Sequence, residues 1–214
     1  MQHMKAAVLV EPHRFEVRDM PIPAIGPSDA LIKVERCGIC GTDMHMFNGH
    51  YATDKLPIIP GHEFSGTIAA LGADVVHLKT GMRVVADINI GCGNCFYCRC
   101  NEILNCAEMR QVGISRDGGF AEYVSLPARL VIPTAPDAEF DLLALVEPAA
   151  CVVRAARKAV LDAEGRECVS GTELVQLQTE LTRAEENAVW LAAELDALNE
   201  LQVEHLKVTH VASR

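Results

Sequence analysis

The chain has 214 residues, half of them apolar, and a formal net charge of −10 at neutral pH. This length allows one ordinary domain and a further segment, and the apolar fraction is ample for a buried core. The negative charge disfavours nucleic acid and acidic membrane surfaces as partners, and no apolar run in the sequence is long enough to predict a membrane span.

The N-terminal part of the chain carries a β pattern. Residues 1–135 contain short alternating runs such as KAAVLV, ALIKVER, MRVVADI and FAEYVSL, which turn clusters such as PIPAIGPSD separate. The first residues show no apolar stretch of signal-peptide length behind a basic start, so we expect a cytoplasmic protein. The pattern predicts a mainly β fold, a barrel or a sandwich, followed by helices after residue 148.

The first chemical lead is the segment ERCGICGTDMHMF, in which Cys37 and Cys40 form a CxxC pair that alone fits redox work, metal binding or neither. His62 and Glu63 follow in PGHEFSG, and Glu147 comes much later in LVEPAA. Cysteine, histidine and carboxylate form the mixed ligand set of a catalytic zinc, which uses three protein groups and keeps a fourth position open. Each residue also has an ordinary alternative as a buried thiol, a satisfied polar side chain or a carboxylate in the first turn of a helix.

The stretch CGNCFYCRCNEILNC at residues 92–106 is the most specific motif of the chain. A disulfide-stapled extracellular loop is the first alternative, but the nine cysteines are an odd number and nothing directs export. Cysteines with gaps of two, two and seven residues instead predict a closed tetrahedral zinc site, with Cys100 outside it. The predicted ligands are Cys92, Cys95, Cys98 and Cys106.

Taken in order, the motifs CGICGTDMH, PGHEFSGTI, the four-cysteine stretch, GISRDGGFAEYV and LVEPAACVVRAA resemble the zinc-dependent medium-chain dehydrogenases, nearest the polyol (sorbitol-type) and threonine dehydrogenase branch. The resemblance covers roughly residues 4–160. It implies a GroES-like β-barrel catalytic domain over residues 1–148, two zinc ions per chain, a small-molecule alcohol or polyol as substrate and NAD(P) as the hydride acceptor. It also implies roles for single residues: Cys40, His62 and Glu147 as ligands of the catalytic zinc, Glu63 as a nearby or alternating ligand, Asp43 as the group that steadies His62, and Thr42 as the relay for the proton of the alcohol.

A dinucleotide-binding fingerprint is not found where the resemblance requires it. Residues 151–214 contain only two glycines, Gly165 and Gly171, too few for the G-x-G-x-x-G motif. We therefore expect a helical extension over residues 149–214 in place of a dinucleotide-binding domain. Three classes stay open: a dehydrogenase catalytic domain served by a separate nucleotide-binding chain, a non-catalytic zinc-binding or interaction protein, and a truncated or engineered dehydrogenase.

The missing glycines lead to a prediction about cofactor binding. We expect the purified 214-residue chain alone neither to bind NAD(H) tightly nor to oxidise sorbitol or similar polyols, because no glycine-rich turn presents a helix N-terminus to the pyrophosphate. Titration calorimetry with NAD(H) measures this directly. Saturable binding in the micromolar range would contradict it.

A regular apolar seam runs through the C-terminal helical pattern, with steps of three and four residues. A coiled-coil dimer is the first interpretation, but the flanking positions are mostly acidic and would repel one another in a homodimer. We therefore expect a helix of about 30 residues that folds back against its own chain, with Trp190 packed on the barrel or on the helix near residues 149–162. The seam consists of Leu174, Leu177, Leu181, Ala184, Ala188, Leu191, Leu195 and Leu198.

Overall fold

The computed structural model describes the backbone of residues 2–163 and the side chains of residues 2–156. Nine strands occur in this part of the chain: β1 (His3–Glu11), β2 (Arg14–Pro21), β3 (Asp29–Gly38), β4 (Glu63–Leu71), β5 (Arg83–Ala86), β6 (Asn89–Ile90), β7 (Arg110–Gln111), β8 (Tyr123–Pro127) and β9 (Val131–Pro133). The same residues form four α-helices: α1 (Gly41–Phe47), α2 (Phe96–Arg99), α3 (Phe140–Ala144) and α4 (Val146–Ala163). The predicted mainly β fold with helices is confirmed.

The strands pair into three antiparallel sheets. The largest has five strands in the order β8-β3-β4-β5-β9, while β1 pairs with β2 and β6 pairs with β7. Apolar side chains at alternating strand positions turn inward, and Leu9, Ile32, Val84 and Leu126 are fully buried in the main core. Each such side chain stabilises the fold by about 1.5–3 kcal/mol relative to exposure.

The pairing of β3 with β4 brings the segment that contains Cys40 close to the segment that contains His62. Gly38, the last residue of β3, pairs with Glu63, the first residue of β4. Cys40 therefore follows the end of one strand, and His62 precedes the start of its neighbour. The approach depends on glycine, because a Cβ at Gly66 would lie 2.1 Å from the Lys33 carbonyl oxygen on the facing strand.

The helix predicted after residue 148 is present, since α4 begins at Val146 and continues to Ala163. The helix α4 continues across the predicted domain boundary between residues 148 and 149. That boundary stays a prediction. None of the helices in residues 2–163 has the length and apolar character of a membrane-spanning segment. The apolar seam, Trp190 and the fold-back of the C-terminal helix lie outside the described residues.

Candidate metal centres

The four cysteines predicted as a closed site form one cluster. Their Sγ atoms all lie within 4.8 Å of one another, and the Sγ atoms of Cys92 and Cys98 are 3.9 Å apart. A disulfide bond requires about 2.05 Å, whereas zinc–sulfur bonds of about 2.3 Å in a tetrahedron place the sulfurs about 3.8 Å apart. The spacing of the thiols therefore fits a tetrahedral ion and excludes a disulfide between these two residues.

The loop backbone is arranged around the sulfurs. The N–H groups of Cys92, Cys95 and Cys98 donate hydrogen bonds to the Sγ atoms of Cys106, Cys92 and Cys95 at 3.5, 3.4 and 3.5 Å. A Cβ at Gly91 would lie 2.7 Å from the Sγ of Cys98, so the glycine leaves room for that sulfur. Cys100 is exposed and lies outside the cluster.

The thiols differ in acidity before any cation is added. Backbone N–H groups of Asn94 and Cys95 lower the pKa of the Cys92 thiol to about 7. The Gly93 N–H lowers the pKa of Cys98, but burial and the neighbouring cysteines outweigh it and raise the pKa to about 11. Thiolate is therefore favoured at Cys92 before Cys98, and a divalent cation would supply the charge that favours ionisation of Cys98.

A second cluster lies at the end of β3 and the start of β4. The Sγ of Cys40, a ring nitrogen of His62 and a carboxylate oxygen of Glu63 all lie within 4.8 Å of one another. His62 and Glu63 are 4% and 9% exposed, so the cluster is largely shielded from water. A Cβ at Gly38 would lie 2.5 Å from the Glu63 carboxylate, and the glycine therefore gives that side chain its place.

Asp43 organises this second cluster from the first turn of α1. Its Oδ2 accepts a hydrogen bond from the Cys40 N–H at 2.8 Å, and its Oδ1 accepts one from the Gly61 N–H at 3.2 Å. The same Oδ1 lies 3.6 Å from His62 Nδ1, a buried nitrogen that has no hydrogen-bond partner. With Nδ1 directed to a carboxylate, the opposite ring nitrogen of His62 is left to bind a metal, as in the carboxylate–histidine–zinc arrangement.

The charges around His62 favour its protonated form when no metal is bound. Burial lowers the pKa of the imidazole, but Asp43 and Cys40 outweigh it and raise the pKa to about 10. The protonated ring thus stands where a cation is electrostatically favoured, and a metal that binds there must displace the proton.

Glu147 lies near the second cluster without belonging to it. It stands half-buried in the first turn of α4, outside the group of atoms that lie within 4.8 Å of one another. Burial raises the pKa of its carboxyl, with opposing contributions from His62, which lowers the pKa, and Glu63, which raises it. These electrostatic interactions place Glu147 beside the cluster, and its assignment as a metal ligand stays a prediction.

Cys37, the other member of the CxxC pair, lies outside both clusters. Burial, followed by the Asp43 and Glu63 carboxylates, raises the pKa of its thiol to about 12. A Cβ at Gly61 would lie 2.9 Å from its Sγ, so the thiol is packed against the backbone beside His62. This residue is a neutral packing group rather than an activated thiol.

The second cluster is supported by residues to which the sequence assigned no role at a metal site. The segment GISRDGGF packs on the backbone of Gly61, where a Cβ at Gly113 or Gly118 would lie 2.3 or 2.2 Å from the Gly61 carbonyl oxygen. The repeated glycines were the available signal for this close approach. Beside Cys40, an open cleft is lined by Thr42, His45, His50 and Tyr51, and the Cys40 thiol lies 3.8 Å from the Thr42 hydroxyl.

Comparison with known proteins gives consistent matches. Residues 26–137 match the family model described as the alcohol dehydrogenase GroES-like domain. The D-arabinitol dehydrogenase 1 of Uromyces fabae is 37% identical over 166 residues, which cover 78% of this chain and 47% of that protein. The L-threonine 3-dehydrogenase of Mesorhizobium japonicum is 38% identical over 135 residues, which cover 62% of this chain and 39% of the relative.

Among solved structures, a protein from Sinorhizobium meliloti 1021, classed as a zinc-binding dehydrogenase and bound to NADP, is 38% identical, with a TM-score of 0.70. The match covers 74% of this chain and 46% of that one. The galactitol-1-phosphate dehydrogenase of Escherichia coli is 32% identical, with a TM-score of 0.64, and the match covers 68% of this chain and 42% of that one. The chain thus spans less than half the length of each of these four proteins.

Proposed function

Because the chain belongs to the family of alcohol dehydrogenase GroES-like domains, we propose that it is the metal-binding catalytic part of a zinc-dependent dehydrogenase for a secondary alcohol of the polyol class. The observation that carries this proposal is the convergence of Cys40, His62 and Glu63 within 4.8 Å, with the Thr42 hydroxyl 3.8 Å from the Cys40 thiol. Relatives named for D-arabinitol and L-threonine support an alcohol substrate that has further polar groups.

In this proposal Cys40, His62 and Glu147 hold the catalytic zinc, and Glu63 is a nearby or alternating ligand. Zinc bound there would act as a Lewis acid that lowers the pKa of a bound alcohol. We assign this cluster to catalysis because a catalytic zinc is held by three protein groups of mixed type and keeps its fourth position open for the substrate. The cluster of Cys92, Cys95, Cys98 and Cys106 is assigned to a second, structural zinc, since four thiolates leave no open position.

The residues of the cleft would handle the proton of the alcohol. Thr42 lines the cleft and its hydroxyl lies 3.8 Å from the Cys40 thiol, which supports the proposal that this hydroxyl accepts the proton and passes it on. Asp43 keeps the backbone of Cys40 and of Gly61 in place, which fixes the distance between Cys40 and the neighbouring His62. The hydride would leave the alcohol carbon for NAD(P)⁺, for which residues 151–214 show no fingerprint.

Metal analysis and cobalt substitution test the proposal without a requirement for NAD(P). We expect about two zinc ions per chain, and we expect His62→Ala to remove one of them while the fold is kept. In the cobalt-substituted chain, sorbitol or L-threonine should perturb the absorption of the site that His62 supports. The Thr42→Val variant should retain the metal and show a weaker perturbation.

Two outcomes decide against parts of this proposal. If His62→Ala leaves the metal content unchanged, the assigned ligands are wrong. If two ions bind but no alcohol perturbs the cobalt absorption, a non-catalytic zinc-binding or interaction protein is the better description.

A further inference from the structure

The short helix α3, which precedes the helix of Glu147, is held against the sheet by two buried or half-buried side chains. Ser65 on β4 is fully buried, and its hydroxyl donates a hydrogen bond to the Phe140 carbonyl at 2.7 Å. Arg83 on β5 donates a hydrogen bond to the Ala138 carbonyl, and its guanidinium carbon lies 4.5 Å from the centre of the Phe140 ring. Side chains on two adjacent strands, β4 and β5, therefore hold the start of α3 in place.

Other contacts of α3 are weaker. Arg36 on β3 forms an ion pair with Asp141, but both side chains are more than half exposed, and such surface pairs contribute about 0–1 kcal/mol. The Glu139 side chain at the N-cap position makes no capping hydrogen bond. The position of this five-residue helix thus depends chiefly on Ser65, on Arg83 and on the burial of Leu143 and Ala144.

This position determines where Glu147 stands. The helix α3 ends at Ala144, and Glu147 follows three residues later in the first turn of α4. So short a connection transmits a shift of α3 to the carboxylate. By contrast, the positions of Cys40, His62 and Glu63 depend on the pairing of β3 with β4 and on Asp43.

We propose that Arg83 and Ser65 are positioning residues for the catalytic metal site, because they hold α3 where Glu147 stands beside the cluster of Cys40, His62 and Glu63. This inference rests on the proposed function, since it takes Glu147 as a ligand. Both residues act through residues 138–140: Ser65 and Arg83 bond the carbonyls of Phe140 and Ala138, and Arg83 also packs on the Phe140 ring. Groups that bond a metal ligand directly change metal affinity about 10–100-fold when they are lost, so we expect the lower end of this range for an indirect support.

Chelator competition on the full chain tests the inference, because it reads both zinc sites at once. Arg83→Leu is expected to weaken zinc binding at the site of Cys40, His62 and Glu147 about tenfold and to leave the four-cysteine site unchanged. Arg18→Leu is the control: Arg18 is also half-buried, and its guanidinium donates to the Glu16 carboxylate at 2.9 and 2.7 Å on β2, in the separate sheet of β1 and β2. It should leave zinc affinity at the site of Cys40, His62 and Glu147 as in the wild type. Ser65→Ala removes the hydrogen bond to the Phe140 carbonyl. It takes the place of Arg83→Leu if that variant does not fold, and it should weaken zinc binding at the same site.

The decisive arm places Arg83→Leu in a Glu147→Gln background. A positioning role that acts through Glu147 predicts that Arg83→Leu causes no further loss of affinity there. Three results would each overturn the inference. Arg83→Leu could cause an equal loss of affinity in both backgrounds, or a matching loss at the four-cysteine site. It could also leave the affinity unchanged although the wild type binds two ions. If the wild type binds zinc only at the four cysteines, the proposed function fails first and this inference fails with it.

Discussion

Replacement of Cys106 by serine is expected to remove one zinc ion per chain and to lower the free energy of unfolding by roughly 4–5 kcal/mol, the range in which loss of a structural metal falls. Cys106 is the buried member of its cluster, 6% exposed, and it accepts a hydrogen bond from the Cys92 N–H. Serine retains the shape but offers a hard, poorly ionised oxygen in place of a thiolate. Metal analysis and chemical denaturation of the same preparation measure both effects.

The matched control for this prediction is Cys100→Ser. Cys100 lies in the same segment but is exposed and outside the cluster, so its replacement should retain the zinc and change stability by less than about 0.5 kcal/mol. Equal effects of the two substitutions would show that the segment is sensitive to any loss of sulfur. An unchanged metal content in Cys106→Ser would contradict the assignment of the site.

The two clusters differ in how far the sequence alone could predict them. All four cysteines of the first cluster fall within residues 92–106, so their spacing carries the geometry, and the structure brings the same four sulfurs together. Cys40 and His62 stand 22 residues apart. The alternating runs predict strands on either side of them, but the register that pairs Gly38 with Glu63 depends on long-range packing and had no signal in the sequence.

Glu147 shows where reasoning from the sequence reaches its limit. It lies 85 residues beyond His62, and we infer that its place depends on the contacts of Ser65 and Arg83 with the backbone of residues 138–140. A serine and an arginine on strands carry no motif. The resemblance supplied Glu147 as a ligand, whereas the structure brings Glu63 closer to Cys40 and His62. Asp43 was likewise assigned by resemblance, although the hydrogen bonds that explain it are to backbone N–H groups, which sequence letters do not show.

Removal of the Asp43 carboxylate is expected to have a comparably large effect at the second cluster. Asp43→Ala leaves the N–H groups of Cys40 and Gly61 without their acceptor in a site where Asp43 is only 3% exposed. At about 1–3 kcal/mol for each buried unsatisfied group, we expect the free energy of unfolding to fall by roughly 2–5 kcal/mol. Zinc affinity at this site should fall about 10–100-fold, because His62 loses the group that orients it.

Glu122→Ala is the control for this substitution. The Glu122 carboxylate also accepts a hydrogen bond from a backbone N–H, that of Lys5, at 2.7 Å, but Glu122 is exposed and outside the cluster. Water can replace it, so stability should fall by less than about 1 kcal/mol and zinc binding should not change. If Asp43→Ala were as mild as Glu122→Ala, the organising role of Asp43 would be wrong.

Proton release separates the orienting role of Asp43 from a general loss of structure. In the wild type, burial lowers the pKa of His62, but Asp43 and Cys40 outweigh it and raise the pKa to about 10, so at neutral pH zinc must displace a proton from the imidazole. When the Asp43 carboxylate is removed, only Cys40 is left to oppose the effect of burial, and the pKa of the His62 imidazole falls. Calorimetry of zinc binding in buffers of different ionisation enthalpy should therefore show up to about one proton fewer released by Asp43→Ala than by the wild type. Equal proton release would show that Asp43 does not control the charge of His62, even if the affinity for zinc falls.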